Sequence, residues 1–166
     1  MKNLLFLGCF LLYTDSYSQN SIPTTSLTDL NGKIVNVQNE ISNDKITVLS
    51  FWATWCVPCI NELDAISDVY EEWQEGINME LIAISVDDAR TQKRIKPMIN
   101  GKEWPYKILL DKNQKLKRAL NISAIPHTVI LKGGKIIFTR SGYSPGVEDE
   151  LYQIIIKNKE ETLTDL

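Results

Sequence analysis

Two cysteines separated by two residues, Cys56-Val57-Pro58-Cys59, are the side chains in this sequence best suited to chemistry. They follow a β-branched and aromatic run, Ile46-Thr47-Val48-Leu49-Ser50-Phe51-Trp52, and they open a stretch of helical period. A cysteine at a helix N-terminus has its sulfur beside unpaired backbone N–H groups and the positive end of the helix dipole, which favours the thiolate. A second cysteine one turn along is close enough to attack a mixed disulfide on the first and release the product. Cys56 is therefore expected to be an exposed nucleophile and Cys59 a buried resolving thiol. Pro58 fits the first turn, where its missing N–H would have had no helical partner. Other uses of such a pair fit less well. A zinc site needs further ligands, and outside the N-terminal Cys9 the sequence adds only His127. A structural disulfide over so short a loop restricts the unfolded chain less than a longer one. Copper delivery would call for wider spacing and a supporting histidine.

The elements that must hold this pair can be read from periodicity. Ile46 to Trp52 lacks alternation, so it reads as a central strand buried on both faces. After Cys56, Ile60, Leu63, Ile66, Val69 and Trp73 recur every three or four residues with acids between them, an amphipathic helix that Gly76 ends. Met79 to Val86 is a second apolar strand, and the three together form a parallel βαβ unit. Upstream, Thr24 to Val37 gives two short extended pieces around Asn31-Gly32, a hairpin. Downstream, a helix is expected over Asp87–Asn100, capped by Asp87 or Asp88, closed by Gly101, and kinked or stopped near Lys96 by Pro97. A strand at Tyr106–Leu110 and a helix at Lys112–Leu120 capped by Asp111 follow. A hairpin of Thr128–Leu131 and Lys135–Thr139 surrounds Gly133-Gly134, and a helix at Val147–Lys157 closes the chain. The economical fold is α/β, a central mixed β-sheet flanked by helices.

Size and charge narrow the class. The 166 residues, 43% hydrophobic and 23% charged, suit one globular domain rather than two, and exclude wholesale disorder. A net charge of −3 argues against nucleic acid as the main partner, because phosphate binding needs a dense basic face. Met1-Lys2-Asn3, an apolar run from Leu4 to Leu12, and Ser16-Tyr17-Ser18 have the layout of a secretory signal peptide over residues 1–18, cut before Gln19. Residues 19–166 are then the domain, retaining two of the three cysteines. Gly8-Cys9 offers an alternative lipid-anchor signal, with Phe6 a poor fit at its −3 position.

The segment Phe51-Trp52-Ala53-Thr54-Trp55-Cys56-Val57-Pro58-Cys59-Ile60-Asn61-Glu62 closely resembles the active-site segment of thioredoxin-fold proteins. More narrowly, it resembles the exported TlpA/ResA-like thiol–disulfide oxidoreductases. Asp29-Leu30-Asn31-Gly32-Lys33, Ile82-Ala83-Ile84-Ser85-Val86 and Ile125-Pro126 extend the likeness over most of the chain. The resemblance implies a thioredoxin fold with an N-terminal β-hairpin and an inserted strand and helix. It implies that Pro126 is a cis-proline facing the cysteines, although the sequence alone also allows a trans proline at the start of a strand. It implies that Trp55, Val57, Pro58 and Ile125 contact substrate.

Glu62 matches an acid of this family and shares a helix face with Cys59, so it could take that thiol's proton. A glutamate placed only to complement the helix dipole is the other reading. Ser50 stands where cytoplasmic thioredoxins bury an aspartate, which shifts proton handling toward Glu62. Trp52 is expected to pack. Asp64 departs from a family proline and His127 from a threonine; His127 either lowers the Cys56 pKa when protonated or bonds locally.

What the resemblance implies overall is an exported, periplasmic or cell-envelope reductant of protein disulfides working through Cys56 and Cys59. Its substrates would include apocytochromes awaiting haem, and a membrane electron donor would recharge it. The expectation includes no organic cofactor, no metal and a monomer. An oxidant or isomerase would differ only in redox poise, and a copper-handling thioredoxin-fold module is the rival from another class. A peroxide-reducing enzyme is disfavoured, because no proline and threonine stand at the required spacing before Cys56.

Overall fold

The computed structural model describes residues 20–164. The expected signal peptide and Cys9 lie outside the described residues. Strand β3 (Ile46–Trp52) is buried at all seven positions, as an unalternating apolar run requires. It runs parallel to β4 (Met79–Ser85), with Trp52 opposite Ser85, and antiparallel to β6 (His127–Lys132), with Phe51 opposite His127. β4 pairs in parallel with β5 (Lys107–Leu110), and β6 pairs antiparallel with β7 (Lys135–Ser141). The hairpin of β1 (Ser26–Asp29) and β2 (Ile34–Asn36) joins the far side through β5. The result is a seven-stranded mixed sheet in the order β2-β1-β5-β4-β3-β6-β7. Gly32, at φ 88°, turns the first hairpin, and Asp29 Oδ1 accepts from the N–H groups of Asn31 and Lys33.

Helix α2 (Val57–Gly76) is unbroken over twenty residues, and its buried side is Cys59, Glu62, Leu63, Ile66, Tyr70 and Trp73. Trp73 stacks on Tyr152 of the closing helix α5 (Val147–Thr164), with ring centroids 5.7 Å apart. Tyr106 meets Tyr70 edge to face at 4.9 Å and donates its hydroxyl to the Leu63 carbonyl at 2.8 Å, which ties the chain entering β5 to α2. No helix among the described residues is long and apolar enough to cross a membrane.

The central strands and the active-site helix stand where their periodicity puts them; the differences lie at chain reversals. A one-turn helix α1 (Val37–Glu40), capped by the Asn36 side chain, follows the first hairpin. The expected helix over Asp87–Asn100 is replaced by a bent segment, a 3-10 turn at Gln92–Arg94 and a short helix α3 (Ile95–Lys102). Asp88 closes a turn by accepting from Arg90 N–H, and Asp87 faces inward instead of capping. Pro97 causes no kink, because it is the third residue of α3, where an N–H has no intrahelical acceptor. Gly101 lies inside α3, and Glu103 in the left-handed region ends it. Asp111 does cap its helix, at a distance. Its carboxylate accepts from Lys115 and Lys117 N–H, and the regular part is α4 (Lys115–Ala119).

Candidate active site

The carboxyl ends of β3, β4 and β5 share one edge of the sheet, and β6 begins there. Residues 53–56 continue from β3 into α2. The Ile125–Pro126 peptide, which is cis, leads into β6 beside them. The register places His127 opposite Phe51, so Pro126 stands next to the strand end from which the cysteine loop departs. The sheet thus brings together Cys56, Cys59, Glu62 and Pro126, the four residues assigned catalytic roles from sequence.

Cys56 and Cys59 form a disulfide, with S–S 2.00 Å. Cys56 is the N-cap of α2, and its Sγ accepts from the Cys59 N–H at 3.3 Å, so the sulfur occupies the position where a capping oxygen would sit. In the dithiol form that N–H and the helix dipole act on a thiolate, lowering its proton affinity. The exposure of Cys56 is lower than expected. At 6% it is nearly covered, against 1% for Cys59, because its side chain folds onto the helix end. What is open is its apolar surround: Trp55 is 57% and Val57 65% exposed, and Pro58 is exposed beside them. Ile125 is half-buried and Pro126 buried. Trp52 is fully buried and meets Trp104 edge to face at 5.1 Å, as packing rather than as a contact surface.

Glu62 is 1% exposed, which excludes the role of a solvent-facing residue serving the dipole; α2 has no acid in its first turn. Ser50 and Thr128 are cross-strand partners on β3 and β6, and both hydroxyls donate to Glu62 Oε1, at 3.1 and 2.9 Å. Arg140 on β7 is opposite Thr128 and completes the row. Burial raises the Glu62 carboxyl above its ordinary pKa, and the Thr128 and Ser50 hydrogen bonds and the Arg140 charge oppose that rise. Oε2 takes part in neither hydrogen bond. A carboxyl in this condition can exchange a proton one helical turn from Cys59.

His127 bonds locally, its Nδ1 2.6 Å from Ser141 Oγ, with Phe51 against its ring. Burial lowers its pKa, so it is neutral near pH 7. Asp64 accepts from Lys102 at 2.5 Å and from Trp104 Nε1 at 2.9 Å, and so pins α3 to α2 where the family would have a kinking proline. Sequence reasoning missed Asp87. This residue, 1% exposed, accepts from Thr54 N–H at 2.9 Å, Thr54 Oγ1 at 2.7 Å and Ser85 Oγ at 2.9 Å. It anchors the cysteine loop two residues ahead of Cys56. The available signal was an acid directly after Leu81-Ile82-Ala83-Ile84-Ser85-Val86, a run with serine as its single polar residue.

The profile of the AhpC/TSA family matches residues 19–139. The chain belongs to this family. Within it, the chain is 28% identical over 116 residues to the thiol-disulfide oxidoreductase ResA of Bacillus thuringiensis, covering 69% of this chain and 64% of that protein. The match therefore spans a little under two thirds of the relative's own length. A thioredoxin-like protein from Porphyromonas gingivalis, 40% identical, superposes with TM-score 0.72 over 85% of this chain and 92% of that one. A thiol:disulfide interchange protein DsbE from Chlorobium tepidum, at 17% identity, shares the fold with TM-score 0.72 over 83% and 94%. The chain is a TlpA/ResA-like member of the thioredoxin superfamily, and its fold is the thioredoxin fold.

Proposed function

We propose that this protein is an exported thiol–disulfide oxidoreductase that reduces protein disulfides. The observation that carries the reading is the Cys56–Cys59 pair at the start of α2, with one sulfur at the helix cap and a buried carboxyl on the face of the other. In the dithiol form the Cys56 thiolate attacks one sulfur of a substrate disulfide. The S–S bond breaks, one substrate thiolate leaves and takes a proton, and a mixed disulfide forms at Cys56. Cys59 loses its proton to Glu62 and attacks Cys56 Sγ. The second substrate thiolate departs, having received two electrons in all with its partner sulfur, and the Cys56–Cys59 disulfide forms. Pro126 presents the Ile125 backbone to the bound polypeptide, and Trp55, Val57 and Pro58 supply apolar contact. The redox couple is the cysteine pair itself, so the reading requires no organic cofactor.

Export rests on the layout of residues 1–18, which supports a periplasmic or envelope site, with residues 19–166 acting as one monomeric domain. Apocytochromes fit as substrates and a membrane protein as the donor of electrons. In a Cys59→Ser variant Cys56 should accumulate mixed disulfides with envelope proteins; their absence would refute the oxidoreductase reading. Direction is set by the potential of the couple. A value near or below roughly −250 mV supports a reductant, and one near roughly −120 mV marks a disulfide donor.

A further inference from the structure

Charge is distributed unevenly over this chain. Ten of the 18 Lys and Arg residues fall between Arg90 and Arg118, against two acids, Glu103 and Asp111. Asp111 is buried and its carboxylate is taken up by two backbone N–H groups. Helix α2, by contrast, carries six acids and no cation. A chain of net charge −3 thus concentrates its cations in one segment, running through the 3-10 turn, α3, β5 and α4; of these, Arg90, Lys102 and Lys107 are paired with Asp88, Asp64 and Glu40.

Part of that segment lines a concavity. A cavity of about 430 Å³ is lined by Lys93, Lys96 and Lys112, with Ile95, Leu30 and Leu110 among its apolar walls. Among the described residues no carboxylate forms an ion pair with these lysines; the ion pairs use Arg90, Lys102, Lys107 and Arg140. Asp29 also lines the cavity, and its Oδ1 is held by the hairpin turn. The position matters as much as the charge. Leu110 is in register with Ser85, and Ser85 with Trp52, the last residue of β3. Two strand spacings, roughly 10 Å, therefore separate the Leu110 wall from the strand end that launches the cysteine loop.

The geometry points to a docking cleft for an acidic stretch of the disulfide-bearing polypeptide. This inference rests on the oxidoreductase reading and gives its substrate a chemical description. An extended chain advances about 3.3 Å per residue, so Asp or Glu residues roughly three to six positions from the target cystine reach the cleft while the disulfide meets Cys56. The three lysines attract an acidic stretch before contact, so the field steers the encounter as well as strengthening it. A concavity with apolar walls receives side chains, whereas a lipid surface would favour a flat basic face.

The test compares two model peptides that carry the same cystine, one with three Glu at positions four to six beyond it and one with three Gln. The intact exported chain is assayed for disulfide reduction at low ionic strength. Its kcat/KM for the Glu peptide should exceed that for the Gln peptide about tenfold, with the ratio falling toward one as salt is raised. In Lys93→Glu/Lys96→Glu/Lys112→Glu the ratio should drop below one. In Lys45→Glu/Lys135→Glu, at distant exposed sites, it should stay at the wild-type value. Using the ratio within each protein cancels any loss of folded or active enzyme. A wild-type ratio near one, or a ratio untouched by the triple reversal, overturns the proposal. So does a ratio near one accompanied by lysine-dependent binding to phosphatidylglycerol vesicles, which would assign the face to a membrane. If no disulfide of any kind is turned over, the oxidoreductase reading has failed instead. Docking is then read from anisotropy of the labelled Glu peptide on Cys56→Ser/Cys59→Ser, where tighter binding than the Gln peptide supports the cleft and equal binding overturns it.

Discussion

Replacing Asp87 with alanine tests whether the cysteine loop is held from behind. The substitution removes the acceptor of three buried hydrogen bonds, two from Thr54 and one from Ser85. A hydrogen bond to a charged group contributes about 1.5–3 kcal/mol. The two hydroxyls can rotate toward other acceptors, but the Thr54 N–H is fixed by the backbone, and leaving it unpaired in a buried site costs about 1–3 kcal/mol. Relief from burying a carboxylate without a cation offsets part of this loss. The balance is about 3 kcal/mol, at the upper end of ordinary single-site effects. With a urea m-value near 2 kcal/mol/M, the unfolding midpoint of the oxidised protein should fall by roughly 1.5 M. The same variant in its reduced form should expose Cys56, now 6% accessible, and raise its alkylation rate several-fold. A midpoint within about 0.25 M of wild type, with an unchanged alkylation rate, would refute the claim that Asp87 sets the loop.

Glu62→Gln should slow the second step, release of product by Cys59, by about 100-fold in single-turnover assays, with less effect on the attack by Cys56. Thr128→Val and Ser50→Ala each remove a bond that lowers the Glu62 pKa, so the acidic limb of the pH profile for that step should move to higher pH. Trp55→Ala deletes a largely exposed side chain; stability should change by less than about 0.5 kcal/mol, while KM for protein disulfides rises several-fold. Because burial lowers the His127 pKa and keeps the ring neutral near pH 7, His127→Asn should leave the pH dependence of Cys56 alkylation unmoved between pH 7 and 8, as iodoacetamide titration would show.

How far the sequence carried depends on the range of the interactions involved. Strand β3 and helix α2 were legible because their apolar periods are local and strong, and the cysteine pair falls at their junction. Asp87 was misread because Asp87-Asp88 before Ala-Arg-Thr-Gln has the form of a helix cap, while the group that needs Asp87, Thr54, is 33 residues earlier. Pro97 suggested a kink only on the assumption that the helix began at Asp87; starting at Ile95 removes the conflict. The shared face of Cys59 and Glu62 follows from helical geometry alone. The two hydroxyls on Glu62 Oε1 do not, since they depend on the pairing of Ser50 with Thr128 across two strands 78 residues apart in the chain. The cluster of cations over residues 90–118 was missed because only the net charge was weighed, and its cavity required the folded hairpin beside α3.

Two buried acids flank the disulfide, and their hydrogen bonding assigns them different work. Both Asp87 oxygens are occupied by donors that cannot all turn elsewhere, so this carboxylate is an anchor whose charge the fold exploits. Glu62 receives both of its hydrogen bonds on one oxygen, and burial pushes its pKa up. A carboxyl with a raised folded-state pKa favours folding most when it is protonated. That contribution is complete below the ordinary carboxylate pKa and is lost as pH climbs through the raised value. The isosteric amides should therefore act in opposite directions at pH 7. Asp87→Asn puts an NH2 group against the Thr54 hydroxyl in one orientation, or against the Thr54 N–H and the Ser85 hydroxyl in the other, and should lower the urea midpoint. Glu62→Gln keeps a carbonyl for Ser50 and Thr128, sheds the buried charge, and should raise the midpoint while slowing catalysis. Parallel losses of stability from the two amides would show that Glu62 is also an anchor, and the proton-transfer role given to it would have to move to another group.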